Sequence, residues 1–362
     1  MRIIAFYLPQ FHEIPENNKA WGKGFTEWVN VKKAKPLFWG HRQPRVPLNN
    51  NYYNLLDENV VIQQMQLARQ YGLYGFCYYH YWFKGRKVLE KPLEKMLVNK
   101  DATFPFCLAW ANEAWTKTWH GAKGAKEVLI RQTYGVKKDW EDHYEYLRRY
   151  FRHPSYIKIG NKPVLLVYKI NKMRHRSEMF ECFCEMAKKD GFDGMYLVQM
   201  LSDETPISKL RWINATVDFE PARIRNIMRQ NRNDMSEKKV RLCEKHPKWN
   251  WWNRWICDVL DYKKINQNML ETYHGKNNYR CCFVDYDDSP RRGKKALIFK
   301  GSSPKVFGYY LKKQIVATKE EGNDMIFINA WNEWGEGNYL EPDEKYQFQY
   351  LEEIRRIILE EL

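Results

Sequence analysis

Two glutamates lie three residues apart in the segment FINAWNEWGEGNYLEPD, which runs from Phe327 to Asp343. Glu333 and Glu336 are separated there by a tryptophan and a glycine. In an extended strand, an offset of three points side chains to opposite faces, whereas a tight or helical turn brings them onto one face. Gly335 and Gly337 would give the backbone the freedom to turn. The segment can therefore present both carboxyl groups to one substrate.

Two carboxyl groups beside an anomeric carbon can cleave a glycosidic bond. One protonates the leaving oxygen, and the other acts as base or nucleophile. Trp331 and Trp334 would exclude water from one acid and raise its pKa, which keeps that acid protonated. Because the same spacing is common in helices, the pair taken alone is weak evidence, and solvated loop acids are the competing interpretation.

The elements that must position this pair alternate between strand-like and helix-like segments, a pattern typical of a parallel sheet or barrel. The strand candidates are RIIAFYL, YGFCYYHYWF, FPFCLAWANEAW, KPVLLVYKI, MYLVQML, ATVDFEPAR, YRCCFVDYDD and MIFINAW. The segment from Asp57 to Leu73 predicts the first long helix. A doubly wound sheet usually has a glycine-rich turn after its first strand, and YLPQFHEIPENN contains no glycine. The sequence therefore predicts the α/β class, as a (β/α)8 TIM barrel.

The length of 362 residues would allow two domains, but one barrel with insertions accounts for it. We expect a single catalytic domain over residues 1–362. A long loop from His12 to Asn51 follows the first strand and has the length of a lid or binding loop. A basic insertion at about 223–265 follows the sixth strand, with ten lysines or arginines and three acidic residues between 223 and 255. This insertion fits either an anion-binding flap or a solvated helix docked on the barrel.

The candidate site residues follow from the barrel prediction, because barrel enzymes carry their reacting groups at the carboxyl ends of the strands. Carboxylates, amides and aromatic rings dominate these positions, and such rings suit carbohydrate binding. The predicted catalytic residues are Glu333 and Glu336. The predicted substrate-binding residues are Tyr7, Gln10, His12, Trp28, Tyr81, Trp82, Trp110, Asn112, Glu113, Tyr168, Trp331, Asn332 and Trp334. For the histidines and for about half of the rings, a purely structural role is the competing interpretation.

Other chemistries have little support in the sequence. A GxSxG elbow, which would indicate acyl transfer, does not occur, and neither HxH nor HExxH spacing indicates a metal. The segment DYDD, from Asp285 to Asp288, is the nearest approach to a DxD-like metal cluster. This segment is a poor match to such a cluster, and we expect Asp285 and Asp287 to be solvated loop acids paired with Arg291 and Arg292. We therefore expect neither a metal nor another cofactor.

The composition limits which binding partners and which cellular compartment are compatible with this chain. A net charge of +16 suits an anionic partner, either nucleic acid, a membrane surface or an acidic glycan, but it also fits a merely basic surface. The 15 tryptophans and 24 tyrosines favour a glycan. Eight cysteines without CxxC spacing favour reduced thiols, and no signal peptide or spanning segment is recognisable. We expect a cytoplasmic protein that acts on an oligosaccharide or polysaccharide, with anionic and lipid-linked forms both allowed. We expect no nucleic acid partner and no transmembrane segment, while peripheral membrane contact is allowed.

Six segments carry a family resemblance in chain order: FYLPQFH, GFTEW, GFCYYHYWFKGRKVLEKP, PFCLAWANEAWTKTWHG, KPVLLVY and AWNEWGEGNYLEPD. They resemble the WbsX-type proteins of bacterial surface-polysaccharide gene clusters, which are similar to the endo-α-mannosidases of glycoside hydrolase family 99. The resemblance implies a (β/α)8 barrel. It also implies that Glu333 assists attack by the substrate's own 2-hydroxyl, through an anhydro-sugar intermediate. Glu336 would then act first as acid and later as base, with net retention.

The resemblance implies the substrate class more firmly than the direction of the reaction. The first expectation is a metal-independent glycosidase or transglycosylase that acts on an α-linked, mannoside-like bond of a bacterial surface polysaccharide. The first alternative is a glycosyltransferase of O-antigen or capsule biosynthesis, with the basic insertion on the diphosphate of an activated donor. The second alternative is a barrel that binds glycan without chemistry, against which the presence of both Glu333 and Glu336 argues.

Overall fold

The computed structural model describes residues 1–117, 127–202, 211–230, 257–272 and 274–360, with the backbone alone at 228–230. At its centre lies a sheet of parallel strands. These are β1 Arg2–Tyr7, β2 Gly75–Phe83, β3 Phe106–Trp110, β4 Lys162–Val167, β5 Tyr196–Leu201, β6 Ile213–Asp218, β7 and β8 Met325–Asn329. Strand β7 consists of two short segments, Asn278–Tyr279 and Cys281–Phe283, on either side of Arg280.

The strands close into a barrel. Neighbouring strands from β6 down to β1, and then β8, pair in parallel. The first segment of β7 pairs with β6 through Thr216 and Asn278, and its second segment pairs with β8 through Cys282 and Ile328. Strand β7 thereby completes the ring. The predicted (β/α)8 barrel is confirmed, and every predicted strand is present in its predicted order.

The interior of the barrel is filled by side chains rather than open. Every residue of β2 is buried, because parallel strands are covered on one face by the barrel interior and on the other by helices. Phe6 lies inside, with its ring centroid 5.9 Å from that of Tyr79 and 5.5 Å from those of Phe219 and Phe327. This packing closes the centre and leaves the carboxyl ends of the strands as the place for a site.

The helices lie around and above the barrel. They are α1 Pro15–Trp21, α2 Glu27–Lys33, α3 Glu58–Gln70, α4 Lys91–Val98, α5 Lys137–Phe151, α6 Arg176–Lys189, α7 Ala222–Gln230, α8 Tyr262–Leu270, α9 Ser289–Arg292, α10 Pro304–Glu320 and α11 Gln349–Glu360. The predicted helix from Asp57 begins as expected, because the Asp57 side chain accepts a hydrogen bond from the backbone N–H of Asn59. None of the helices in the described part of the chain is long and apolar enough to cross a lipid bilayer.

The two segments that depart from a simple barrel repeat have different outcomes. The loop from His12 to Asn51 carries α1 and α2, and the indole N–H of Trp28 donates to the Tyr53 carbonyl at 2.8 Å. From the predicted insertion at about 223–265, the structure describes α7, the start of α8 and a short strand, Asp258–Asp261, paired with Leu297–Lys300. Residues 231–256, which hold most of the basic run, lie outside the described residues.

Candidate active site

A cavity of about 310 Å³ opens at the carboxyl ends of the barrel strands, within the size range of small-molecule sites. Both Glu333 and Glu336 line it. The other lining residues are Leu8, Gln10, Tyr79, Tyr81, Ala111, Glu113, Tyr168, Phe219, Arg291, Arg292 and Asn329. The lining thus combines carboxylates, amides and aromatic rings, and we call it the inner cavity.

The two glutamates reach the inner cavity because the backbone turns sharply after β8. Glu333 ends a two-residue strand, Asn332–Glu333, and one turn of 3-10 helix, Trp334–Glu336, follows it. Such a turn places residues three apart on one side. Gly337 then adopts a left-handed conformation with φ of 59°, which glycine takes without steric cost. We call residues 331–337, which carry the two predicted catalytic glutamates, the catalytic turn.

One guanidinium joins the two carboxylates. The Arg291 side chain, on α9, donates from Nη2 to Glu333 Oε1 at 2.7 Å and from Nη1 to Glu336 Oε1 at 3.0 Å. Its Nε donates to Glu27 Oε1, on α2, at 3.1 Å. Burial disfavours the charged guanidinium, but the three surrounding carboxylates outweigh burial and raise the pKa of Arg291 well above its ordinary value. Arg291 therefore stays charged and fixes the positions of both glutamates.

The electrostatics distinguish the two glutamates. Burial raises the pKa of the Glu333 carboxyl well above its ordinary value, and Glu336 and Glu27 raise it further, against the opposing effect of Arg291. The Glu336 side chain is more open, at 29% exposure compared with 9% for Glu333. Glu333 is thus the deeper group, with a carboxyl whose pKa lies above its ordinary value, while Glu336 lies where solvent can approach.

Gly335 is required for space rather than for backbone freedom. A Cβ atom at this position would lie 2.5 Å from Glu27 Oε1 and 2.6 Å from Arg291 Nε. The Arg291–Glu27 ion pair therefore passes directly over the turn, where only glycine leaves room. The expectation that Gly335 serves the bend is wrong, whereas Gly337 does adopt the left-handed conformation.

Hydrogen bonds from several elements hold the catalytic turn. The Asn332 side chain accepts from the Leu8 N–H at 2.8 Å and donates to the Leu8 carbonyl at 3.1 Å, which ties the turn to the end of β1. The Trp334 indole N–H donates to Glu341 at 2.6 Å. On the other side, the Glu336 carbonyl accepts from the Asp287 N–H at 2.6 Å. The glutamates are thus placed before any ligand arrives.

Four of the predicted substrate-binding residues lie in the inner cavity: Gln10, Tyr81, Glu113 and Tyr168. The Gln10 side chain is buried, and its Nε2 has no hydrogen-bond partner in the described protein, which leaves a donor for a substrate hydroxyl. Glu113 forms an ion pair with Lys172 at 2.8 Å. Burial raises the pKa of the Tyr168 hydroxyl, so this residue offers a neutral O–H.

The other predicted substrate-binding residues do not line the inner cavity. They are Tyr7, His12, Trp28, Trp82, Trp110, Asn112, Trp331, Asn332 and Trp334. Tyr7 points outward and donates to Gln64 at 2.5 Å, and Trp82 stacks on His143 with centroids 4.7 Å apart. The Asn112 amide bridges to both backbone groups of Lys169. In this structure these side chains contact other protein groups rather than the inner cavity, and a substrate-binding role for them stays a prediction.

The acidic segment from Asp285 to Asp288 braces the loop after β1. Asp285 forms an ion pair with Arg45 at 2.9 Å. Asp287 accepts one hydrogen bond from the Gln43 side chain at 2.6 Å and pairs with His41 at 2.8 Å. Burial works against ionisation of Asp287, but His41 and Arg45 lower the pKa of its carboxyl to about 2. The expectation that Asp285 and Asp287 are solvated and pair with Arg291 and Arg292 is therefore wrong. Across the residues that the structure describes, no group of three or more His, Cys, Asp or Glu side chains is arranged to hold a metal ion.

Two residues that hold the glutamates in place, Arg291 and Glu27, were not predicted as site residues from the sequence. Six further residues that line the inner cavity were not predicted either: Leu8, Tyr79, Ala111, Phe219, Arg292 and Asn329. Glu27 lies in the segment GFTEW and is buried, with Asn30 as a further hydrogen-bond donor at 3.2 Å. An acid that directly precedes a tryptophan and follows a threonine at the start of a helix was the available signal. Arg291 is the third residue of the segment SPRR, and the sequence offers no cue that separates it from Arg292.

Comparison with known proteins identifies the family. A family model described as "Glycosyltransferase WbsX" matches residues 3–354. The chain belongs to the WbsX family. The WxcX protein of Xanthomonas campestris pv. campestris is 34% identical over 366 residues, which cover 98% of this chain and 49% of that protein. Its counterpart in strain B100 is 33% identical with the same coverage. The chain thus spans about half the length of these curated relatives.

Solved structures share the fold of this WbsX family member. The GH99 endo-α-mannosidase from Bacteroides thetaiotaomicron superposes with a TM-score of 0.58 at 12% identity, covering 99% of this chain and 97% of that one. A structure described as a glycoside hydrolase-like protein superposes with a TM-score of 0.57 at 10% identity, covering 98% and 93%. The resemblance inferred from the sequence is confirmed for the family and for the barrel.

Proposed function

We propose that this chain is a retaining glycan-active enzyme that hydrolyses or transfers an α-linked, mannoside-like bond of a bacterial surface polysaccharide. The observation that carries the proposal is the placement of Glu333 and Glu336 on one inner cavity, both bonded to Arg291. Glycoside cleavage needs two carboxyl groups that reach the same sugar. The GH99 fold supports this assignment.

In the first step, Glu333 removes the proton from the substrate's 2-hydroxyl. The 2-oxygen then forms a bond to the anomeric carbon while the bond to the leaving oxygen breaks, and Glu336 gives its proton to that oxygen. Glu333 must be ionised for this step. Burial raises its pKa and opposes that form, whereas the hydrogen bond from Arg291 favours it, and once ionised Glu333 is a stronger base than an ordinary carboxylate.

In the second step, Glu336 acts as a base. It takes a proton from water or from an acceptor hydroxyl, whose oxygen bonds to the anomeric carbon and opens the anhydro ring. The 2-oxygen recovers its proton from Glu333. Two inversions give net retention, and hydrolysis differs from transfer only in which hydroxyl reaches the more exposed Glu336.

A second candidate is a glycosyltransferase that uses an activated donor, as the family description suggests. Arg292 is the observation that favours it, because its half-exposed guanidinium lines the inner cavity and could meet a diphosphate. A dependence on both sugar nucleotide and divalent ion would support this candidate. A third candidate is a barrel that binds glycan without catalysing a reaction. Under this candidate, the wild-type protein turns over no glycan.

The proposal also includes the substrate class and the cellular compartment. The substrate would be an oligosaccharide or polysaccharide, free or lipid-linked, of a bacterial cell surface. We assign the reaction to the cytoplasm on the basis of the cysteines, because six of those in the described residues are buried thiols outside any disulfide.

The stereochemical course tests this proposal. Purified protein would be incubated with α-linked mannooligosaccharides and a chelator, without sugar nucleotide, and the first-formed anomer followed by proton NMR. We expect the α-anomer to appear first. Initial formation of the β-anomer, or turnover only with a sugar nucleotide, would contradict it.

A further inference from the structure

A second cavity, of about 660 Å³, lies on the other side of the catalytic turn. Its walls come from the loop at 47–53, from α3 and from the chain that follows the turn, and we call it the outer groove. Glu333 and Glu336 line the inner cavity, whereas Trp331 and Trp334 back the outer groove. The catalytic turn therefore separates the two cavities.

The accessible walls of the outer groove are amides and aromatic rings. Asn49, Asn50 and Gln63 are exposed there, and Tyr52 and Phe348 are half-buried. An amide both donates and accepts hydrogen bonds, as a sugar hydroxyl does, and an aromatic ring offers the flat apolar surface that suits the faces of a sugar. This combination fits a hydroxyl-rich ligand.

The charge of the residues that line the outer groove further limits the kind of ligand that it can bind. No lysine, arginine or histidine is among the described residues that line it, although the chain has a net charge of +16. Its one carboxyl, that of Glu341, is buried and already bonded to Gln64 at 2.6 Å and to Tyr53 at 2.8 Å. The Lys32 ammonium lies over the Tyr52 ring, 4.0 Å from its centroid, but Lys32 does not line the groove, so the lining itself gives no counter-charge to phosphate or a uronic acid. The ligand that fits is uncharged.

The wall that carries the asparagines is built in advance of any ligand. The Leu48 N–H donates to the Pro342 carbonyl at 3.0 Å, and the Asn49 N–H donates to Glu344 at 2.6 Å. Asn49 and Asn50 have left-handed φ values of 57° and 55°, which asparagine tolerates better than most residues. Because the backbone is held in this way, binding would order few additional groups.

We propose that the outer groove is a second glycan-binding site, which takes an uncharged oligosaccharide segment apart from the bond that reacts. The ligand class rests on the proposed function. The site would hold one segment of a polysaccharide at the rim of the barrel while another segment of the same polysaccharide reacts in the inner cavity.

The test uses full-length protein with Glu333→Gln and Glu336→Gln, so that no sugar is consumed. Mannotriose, maltotriose and, as a charged comparison, trigalacturonic acid would be titrated by calorimetry. Gln63→Trp fills the outer groove, and Gln66→Trp is the matched control, since Gln66 is an exposed glutamine of α3 outside the lining. We expect a neutral trisaccharide to bind at two sites. Gln63→Trp should weaken one of them at least tenfold, and Gln66→Trp should leave both unchanged.

Three results would overturn the inference: no binding of either neutral trisaccharide, neutral binding that Gln63→Trp does not change, or binding of trigalacturonic acid that Gln63→Trp abolishes. Turnover by protein with an intact Glu333 and Glu336 is scored separately. If that protein turns over no glycan, the proposed function fails, but the titration still measures binding in the outer groove. If the titration shows no binding in the outer groove, the catalytic proposal is unaffected.

Discussion

Glu333 and Glu336 accept hydrogen bonds from the two terminal nitrogens of a single guanidinium, that of Arg291. Glu27 occupies its third nitrogen, and Gly335 leaves the space through which this arrangement passes. The two carboxylates therefore form one electrostatic unit, in which a change to one member alters the proton affinity of the others.

Arg291→Met should remove the counter-charge and leave the buried carboxylates without it. We expect a loss of about 3 to 5 kcal/mol in the free energy of unfolding, as for a broken buried ion pair, and at least a hundredfold loss in kcat. Arg356→Met is the control, because Arg356 forms ion pairs only at the surface and should cost less than about 1 kcal/mol. Denaturant unfolding and turnover assays measure both. If the two variants lost the same amount of stability and of kcat, Arg291 would not be the residue that holds the two glutamates.

Gly335→Ala tests the packing over the catalytic turn. The new methyl group would meet Glu27 and Arg291, so we expect a cost of about 1 to 3 kcal/mol together with loss of activity. Gly160→Ala is the comparison, since its Cβ would meet no atom within 4 Å and its φ is 57°. That variant should lose about 1 to 2 kcal/mol from backbone strain but keep its activity. Full activity in Gly335→Ala would show that the ion pair can move without consequence.

Much of this architecture was predictable from sequence, because buried parallel strands are continuous apolar segments and the last of them leads directly into AWNEWGEG. The directions of individual rings were not predictable. All nine residues of β2 are buried, so the pattern does not tell which side chains face the inner cavity, as Tyr81 does, and which face the helices, as Trp82 does. Arg291 could not be assigned either, since only the closed barrel brings α9 against the catalytic turn.

Glu341 gives the fold a testable pH dependence. Burial raises the pKa of its carboxyl from 4.5 to about 7, in spite of hydrogen bonds from Trp334, Tyr53 and Gln64. Because the folded state holds this proton more tightly, the contribution of Glu341 is fully present below about pH 4.5 and is lost as the pH rises to about 7.

Each unit of pKa shift corresponds to about 1.36 kcal/mol. Between pH 4.5 and 7, the free energy of unfolding of the wild type should therefore fall by about 3 kcal/mol more than that of Glu341→Gln. Urea unfolding between pH 4.5 and 7.5 measures the difference, and Glu352→Gln, at an exposed position of α11, should keep the wild-type slope. Parallel pH profiles for wild type and Glu341→Gln would rule out this assignment.

The most direct test of the central claim is the rate of glycosidic bond cleavage in Glu336→Gln, with Glu352→Gln as the matched control. Both substitutions replace one carboxylate by an amide, but Glu336 lines the inner cavity and Glu352 lies on the surface of α11. We predict that Glu336→Gln lowers kcat on an α-linked mannooligosaccharide by at least a hundredfold, while the oligosaccharide still binds and Glu352→Gln retains wild-type turnover. Wild-type turnover by Glu336→Gln would contradict the account.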